Sequence, residues 1–446
     1  MKVFIYCQPL AAGKGGMEKV ATNLANYWAA KGWEVYVGFM SYPKKGRLKP
    51  AYDVSRAINL VPWDREESSI FDYREVVGNI NPDVFLAFGC SHTALDIAYI
   101  LDNQNIPYII HEGSNPERII ENNWARPLGL SKVEAMWQRE LLLSRADAIR
   151  LTMSNYKASI PEEFQYKVRA FPNAFKVKSF TLDNKISEDA PVRIINIGGL
   201  KKNKNIFPLL EAMLILKKEY NKSLQLSIFS NSNQKDYIKK ISNFIKINGL
   251  TDCVLLEGET NNIDKEYLKS DMHIITSLSE GLSSCVAEAM CHGIPSIGIK
   301  NVPGVDGLIE HDVNGILVSN NNLPIDLARA IMKLLDSSEY RAKLGAQAKE
   351  DAKIFSPEKA YKNWEELIDL AIENRFSKAK SNASYGILQQ HYDSVRYDFY
   401  LRKYGVKSLD ILNGEKRTYQ KPYSNKEEFL RFKRHEVTLR WSEYEF

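Results

Sequence analysis

Long hydrophobic runs are missing from this chain of 446 residues, and with them any stretch of the roughly 20 apolar residues that a membrane-spanning helix needs. Met1-Lys2-Val3-Phe4-Ile5-Tyr6 is apolar but short, and it reads as a first strand rather than a secretion signal. Cysteine is scarce as well. Cys7, Cys90, Cys253, Cys285 and Cys291 are odd in number, scattered and without metal-ligand spacing. That pattern excludes a disulfide framework and fits buried free thiols in a reducing cytoplasm, so a cytoplasmic protein is expected. An excess of charge of one sign is also lacking over most of the chain. The net charge is +5, and residues 377–446, with 14 Lys and Arg against 9 Asp and Glu, carry all of it. The main body is close to neutral, which argues against nucleic acid as a partner.

What is there is the composition of a globular protein, 44% hydrophobic and 26% charged, in a chain long enough for two domains and an extra segment. Short apolar runs alternate with helical spacing from one end to the other. Strands are expected at 34–38, 83–88, 107–111, 148–152, 192–197, 224–229 and 254–256, with helices between them, which implies parallel sheets covered on both faces. In the first helix, Met17, Val20, Ala21, Leu24, Ala25 and Trp28 share one face. Thr181 to Ala190 is polar and acidic and reads as a linker.

The stretch that organises the chain is Ser277-Leu278-Ser279-Glu280-Gly281-Leu282-Ser283-Ser284-Cys285-Val286-Ala287-Glu288-Ala289-Met290. Ser283 and Ser284 suit the N-cap of a helix that begins near Ser284, and its N–H groups and dipole would face the Gly281 loop as an anion site. Glu280 lies just before that end and Glu288 about one turn inside. Each can accept hydrogen bonds from the hydroxyls of a ligand whose phosphate sits at the helix end, as a sugar nucleotide would. The alternative for the isolated pair is a dipole-favoured loop carboxylate and a solvated helix residue. The run His273–Thr276 before it and Gly293–Ile299 after it give the order strand, loop, helix, strand, and in such sheets ligands bind outside the carboxyl ends of the strands.

This string resembles the E-x7-E segment of retaining glycosyltransferases of family 4, glycosyl transferases group 1. The resemblance implies an α/β fold of GT-B type: two Rossmann-like domains facing across a cleft, 1–180 binding the acceptor and 191–356 the nucleotide sugar. It also implies a helix at 357–376 crossing back to the first domain, with a mainly helical extension beyond. The implied activity moves a sugar from a nucleotide-sugar donor, a UDP-sugar by expectation, to a glycan or lipid-linked glycan, with retention and without metal or cofactor. Surface polysaccharide synthesis is the setting it suggests.

Other segments are similar to parts of the same family. Gly15-Gly16-Met17-Glu18 follows a glycine-rich loop containing Gly13 and Lys14, and resembles the loop against the donor phosphates. Glu18 either joins that site or complements the helix dipole. His111 matches a family histidine near the reacting carbon, and Arg118 is a lesser candidate for a phosphate or acceptor contact. Gly198-Gly199-Leu200-Lys201-Lys202-Asn203-Lys204-Asn205 resembles a G-R-L-x-x-x-K-N loop, with Lys204 on the lysine and Gly199 where the family has arginine. Either Lys201 or Lys202 supplies the missing cation, without an arginine's bidentate fork, or activity is lost. Pro303–Ile309 and Asn314–Val318 resemble loops beside the donor sugar and base. The implied roles give His111, Glu280 and Lys204 to catalysis. Donor binding falls to Gly15, Gly16, Lys201, Lys202, Lys204, Gly281, Leu282, Ser283, Ser284 and Glu288.

The resemblance ends near residue 377. The remaining segment interleaves thirteen aromatic residues with Lys and Arg, and Leu388, Tyr392, Val395 and Phe399 fall at helical spacing. Peripheral contact with an anionic membrane, at its inner face, is one reading; an added helical layer on the body or on a partner subunit is the other. Two rival functions stay open. A nucleotide-sugar epimerase needs a second acid/base group beside His111, which the sequence does not offer, and a catalytically silent subunit or scaffold is suggested by Gly199 and the tail.

Overall fold

A computed structural model describes residues 1–11, 15–41, 49–64, 70–89, 101, 105–116, 139–140, 142–177, 191–198, 200–219, 224–230, 234–260 and 262–377. The expectations at Gly13, Lys14, Arg118 and Gly199, the linker 181–190 and the extension beyond Ser377 lie outside those residues.

The first domain is built on β1 (Lys2–Cys7), β2 (Glu34–Ser41), β3 (Asn59–Asp64), β4 (Val84–Phe88), β5 (Tyr108–Glu112), β6 (Ala148–Leu151) and β7 (Val168–Ala170). All pair in parallel, in the order β3-β2-β1-β4-β5-β6-β7. Helices α1 (Gly16–Ala30) and α2 (Ile70–Ile80) belong to this half. Both faces of the sheet are buried: Phe4 and Tyr6 of β1 enter one core and Val3, Ile5 and Cys7 the other. A parallel strand covered on both sides therefore reads as a continuous apolar run, as β1 does.

The second domain carries β8 (Val192–Ile197), β9 (Leu224–Phe229), β10 (Val254–Gly258), β11 (Met272–Ile274), β12 (Ser296–Ile299) and β13 (Gly315–Val318) in the order β10-β9-β8-β11-β12-β13, again parallel. Its helices are α3 (Phe207–Glu219), α4 (Lys235–Ile247), α5 (Ile263–Leu268), α6 (Ser284–Cys291), α7 (Pro303–Asp306), α8 (Leu323–Asp336) and α9 (Ser338–Asp351). The order of both sheets changes direction beside their first strands, β1/β4 and β8/β11, and ligands in open α/β sheets bind at such switch points.

The last helix, α10 (Pro357–Phe376), opens with Ser356 capping the N–H of Lys359 and with proline in its first turn. Trp364, Leu367, Ile368 and Ala371 form its buried face and join the core of the first domain with Val3, Ile5 and Trp28. Arg375 and Asn374 fix its end on Asp147, through a 2.8 Å ion pair to the carboxylate and a 2.9 Å bond to the carbonyl. The helix thus lies on the first domain. Three strands were not expected: β3 holds Pro62, β7 has three residues, and β13 occupies a stretch that resembles a loop. Pro303–Ile309, also expected as a loop, begins with the single helical turn of α7.

Candidate functional site

The chain leaves β11 through the buried residues Ile275, Thr276 and Ser277, emerges at Leu278 and turns back as α6. Three bonds set this loop. The Thr276 hydroxyl donates to the carbonyl of Lys204 (2.9 Å), the N–H of Leu278 to that of Asn203 (3.2 Å), and the N–H of Ser283 to that of Gly304 (2.9 Å). Ser283 is the N-cap in extended backbone, yet its side chain caps no N–H and lies instead 3.3 Å from the Cys285 thiol. The first turn of α6 therefore receives no side-chain cap, and it turns its N–H groups and dipole toward Gly281. Burial, with Glu280 nearby, pushes the Cys285 thiol up to about 12, so it stays a neutral packing group.

The loop after β8 supplies the cation. Gly198 has φ +151, and a side chain there would meet the stem of Lys204. Lys204 crosses this gap to place Nζ 2.6 Å from Glu280 Oε1, with 23% and 15% of the two side chains exposed. Lys201 and Lys202 are exposed beside them.

Glu288 is held from two sides. Its Oε1 accepts from Lys19 of α1 at 3.1 Å, across the two domains. From behind, the buried Tyr267 hydroxyl lies 2.9 Å from the Cys285 carbonyl and 3.4 Å from Glu288 Oε2, while His292 Nδ1 lies 2.7 Å from the Glu288 carbonyl. The Tyr267 and His292 rings stack at 4.9 Å. Burial and the carboxylate of Glu288 push the Tyr267 phenol well above its ordinary range, so it keeps its proton.

The first domain closes the other side. Gly16 faces α6, a side chain there reaching ordinary contact with the Ser284 hydroxyl at 3.6 Å, and the Tyr52 hydroxyl donates to the Gly15 carbonyl (3.2 Å). Glu18 folds back over Gly15. Burial raises its carboxyl, opposed by the charge of Lys201 from the second domain. Burial together with Glu18 and Glu288 pushes the Tyr52 phenol up to about 12. Beside Glu280, the Tyr156 hydroxyl lies 2.9 and 2.6 Å from the carbonyls of Glu280 and Gly281. Gly281 itself abuts the backbone of Gly113 and Ser114, an approach that only a residue without Cβ permits.

The structure thus brings Gly15, Gly16, Lys201, Lys204, Glu280, Gly281, Ser284 and Glu288 to one interdomain cleft. Leu282 and Ser283 are buried in its wall and Lys202 stands at its edge. It does not bring the His111 imidazole there. Alternation along β5 puts His111 on the same face as Ile109, toward α10, where it is 1% exposed and packs edge-on against Phe88 and Trp364. Arg150 Nη1 lies 3.1 Å from His111 Nδ1 and 3.4 Å from Nε2. Burial, then the Arg150 charge, holds this imidazole well below its ordinary range, and burial takes the Arg150 guanidinium down to about 9. His111 therefore stands as a neutral group beneath Gly113. Sequence reasoning missed Lys19, Tyr52, Tyr156 and Tyr267. Lys19 alone left a signal, a cation in the opening turns of a helix, the end that disfavours it.

Comparison with known proteins agrees with this architecture. Residues 180–351 match the family model described as glycosyl transferases group 1. An uncharacterized glycosyltransferase of Haemophilus influenzae is 25% identical over 79% of this chain and 96% of its own. A poly(glycerol-phosphate) alpha-glucosyltransferase of Bacillus subtilis is 27% identical over 46% of this chain, which spans 30% of that longer protein. Among solved structures, the Anabaena protein HepE in complex with UDP superposes with a TM-score of 0.65 at 16% identity, covering 83% of this chain and all of that one. Sucrose-phosphate synthase of Thermosynechococcus elongatus gives 0.67 at 16% identity, covering 82% and 98%. Two parallel α/β domains around such a cleft define the class: the chain is a glycosyltransferase of the GT-B fold. Its second domain is a glycosyl transferases group 1 domain, and relatives named for poly(ribitol-phosphate) and for capsular polysaccharide biosynthesis match parts of the chain.

Proposed function

We propose that this glycosyltransferase is retaining and metal-independent. It moves a sugar from a UDP-sugar to a glycan or lipid-linked glycan in surface polysaccharide synthesis, at the cytoplasmic side of the membrane. One observation carries the reading: the Lys204–Glu280 pair sits at the uncapped start of α6, opposite Gly15 and Gly16. In this reading the α6 N–H groups and Lys204 hold the diphosphate, Glu288 the ribose and Glu280 the sugar hydroxyls. Breaking the bond between sugar and phosphate leaves charge on the departing diphosphate, and fixed cations and dipoles in a partly dry cleft are what stabilise it. Lys204, with Lys201 and Lys202 at the rim, takes the part a metal plays elsewhere.

Front-face displacement accounts for retention. The acceptor hydroxyl attacks from the side the diphosphate leaves, and the leaving phosphate oxygen takes its proton. No side-chain base is then required, which suits a cleft from which the His111 imidazole is withdrawn. The solved structures bound to UDP and the relatives named for poly(glycerol-phosphate) and poly(ribitol-phosphate) support the donor and the kind of acceptor.

The test is turnover on a panel of nucleotide sugars, with and without chelator. Turnover should survive the chelator. Lys204→Ala and Glu280→Gln should each lower kcat/KM by about 100-fold or more, as removal of a single electrostatic contact to a transition state does. Silence on every donor, or abolition by the chelator, would overturn the reading.

A further inference from the structure

Lys19 has no counterpart among the residues expected to form the site, yet it makes an ion pair that crosses the cleft. Its ammonium lies 3.1 Å from Glu288 Oε1, with 47% of the lysine and 18% of the glutamate side chain exposed. It stands in the opening turns of α1, where the helix dipole disfavours a cation. It also lines, with Gly16, Ser284, Asn173, Tyr361 and Trp364, the cavity between α1, α6 and α10. A lysine in that place, reaching into the other domain, is tied to the carboxylate that the proposed reading gives to the ribose.

Charge accounting then dictates what must follow. Ribose hydroxyls are neutral, so a ribose on Glu288 takes the oxygen that Lys19 occupies and brings no charge to replace it. An ammonium released in a part-desolvated cleft needs another anion. The ligand carries one within reach: its diphosphate, at the start of α6 beside Gly16 and Ser284, one helical turn from Glu288 and directly facing the turn of α1 from which Lys19 projects. A half-exposed ion pair is weak and exchanges readily, and a flexible lysine stem can follow a point charge over that distance.

We propose that Lys19 is a first-domain member of the donor site: it neutralises Glu288 while the cleft is empty and passes to the donor's diphosphate when the ribose takes its place. This rests on the reading of Glu288 as the ribose carboxylate. The exchange couples donor entry to the contact between the domains, because the same side chain serves both states.

Calorimetric titration of the full chain with UDP and with uridine tests it, in wild type, Lys19→Met, Lys19→Arg and Glu288→Gln. Lys19→Met should bind UDP about tenfold more weakly, the loss of one charge-assisted contact. It should bind uridine no more weakly than wild type, since nothing then competes for Glu288, and Lys19→Arg should recover most of the UDP affinity. Undiminished UDP binding by Lys19→Met would overturn the proposal, and so would an equal loss for both ligands, which is the mark of a merely structural lysine. If Glu288→Gln binds UDP as wild type does, the ribose reading fails and the proposal falls with it.

Discussion

Glu280 and Glu288 are both carboxylates at one helix end, but different neighbours prepare them for different work. Glu280 is paired within its own domain, by Lys204 at 2.6 Å, and its backbone is touched by Tyr156 from the other. Glu288 is braced from behind by Tyr267 and His292 and paired across the cleft by Lys19. Buried histidines give a second residue-scale consequence. His273, whose Nδ1 lies 3.0 Å from the Ser296 hydroxyl, is driven down to about 3 by burial, and His111 is also held well below its usual value. Both are neutral in the folded protein, while in the unfolded chain each binds a proton below roughly pH 6.5. Between that pH and the folded values the unfolded chain binds more protons, so stability present above pH 6.5 drains away on acidification. Thermal midpoints should fall progressively from pH 6.5 toward 4, and less steeply in His273→Gln; a midpoint that rises on acidification would contradict this. The two glutamates and Lys204 were legible because their spacing and glycine-rich loops are local. The direction of the His111 ring was not. β5 is buried on both faces, so no alternation of polar and apolar residues marks which face His111 takes.

Elements follow the same division. Central strands such as β1 and β4 are legible because burial on two faces demands apolar runs. β3, β7 and β13 lie at sheet edges with one partner each, and edge strands tolerate the proline of β3 and the brevity of β7. The decisive element beyond the sheets is α10, legible from the spacing of Tyr361, Trp364, Leu367, Ile368 and Ala371. Trp364, 2% exposed, meets Phe88 at 5.7 Å and Phe171 at 5.5 Å and lies 5.3 Å from the Arg150 guanidinium. Trp364→Ala removes that filling and uncovers a buried cation, so it should cost about 3–5 kcal/mol in urea unfolding. A cost below about 1 kcal/mol would mean that α10 is not part of the first domain's core.

At the scale of the molecule, the site exists only because two domains meet. Gly113 against Gly281, Gly16 against Ser284, Tyr156 beside Glu280 and Lys19 on Glu288 are each contacts between halves far apart in sequence. That is why the sequence pointed to both halves of the site but not to the side chains, Lys19 and Tyr156, that touch across it. No helix among the described residues is long and apolar enough to cross a membrane. Donor, helix end and both domains converge on the anomeric centre. Time-resolved proton NMR of the sugar transferred from an α-linked UDP-sugar reads it directly. Retention requires the first product formed to carry the α configuration; a product that appears first as the β anomer would contradict the account.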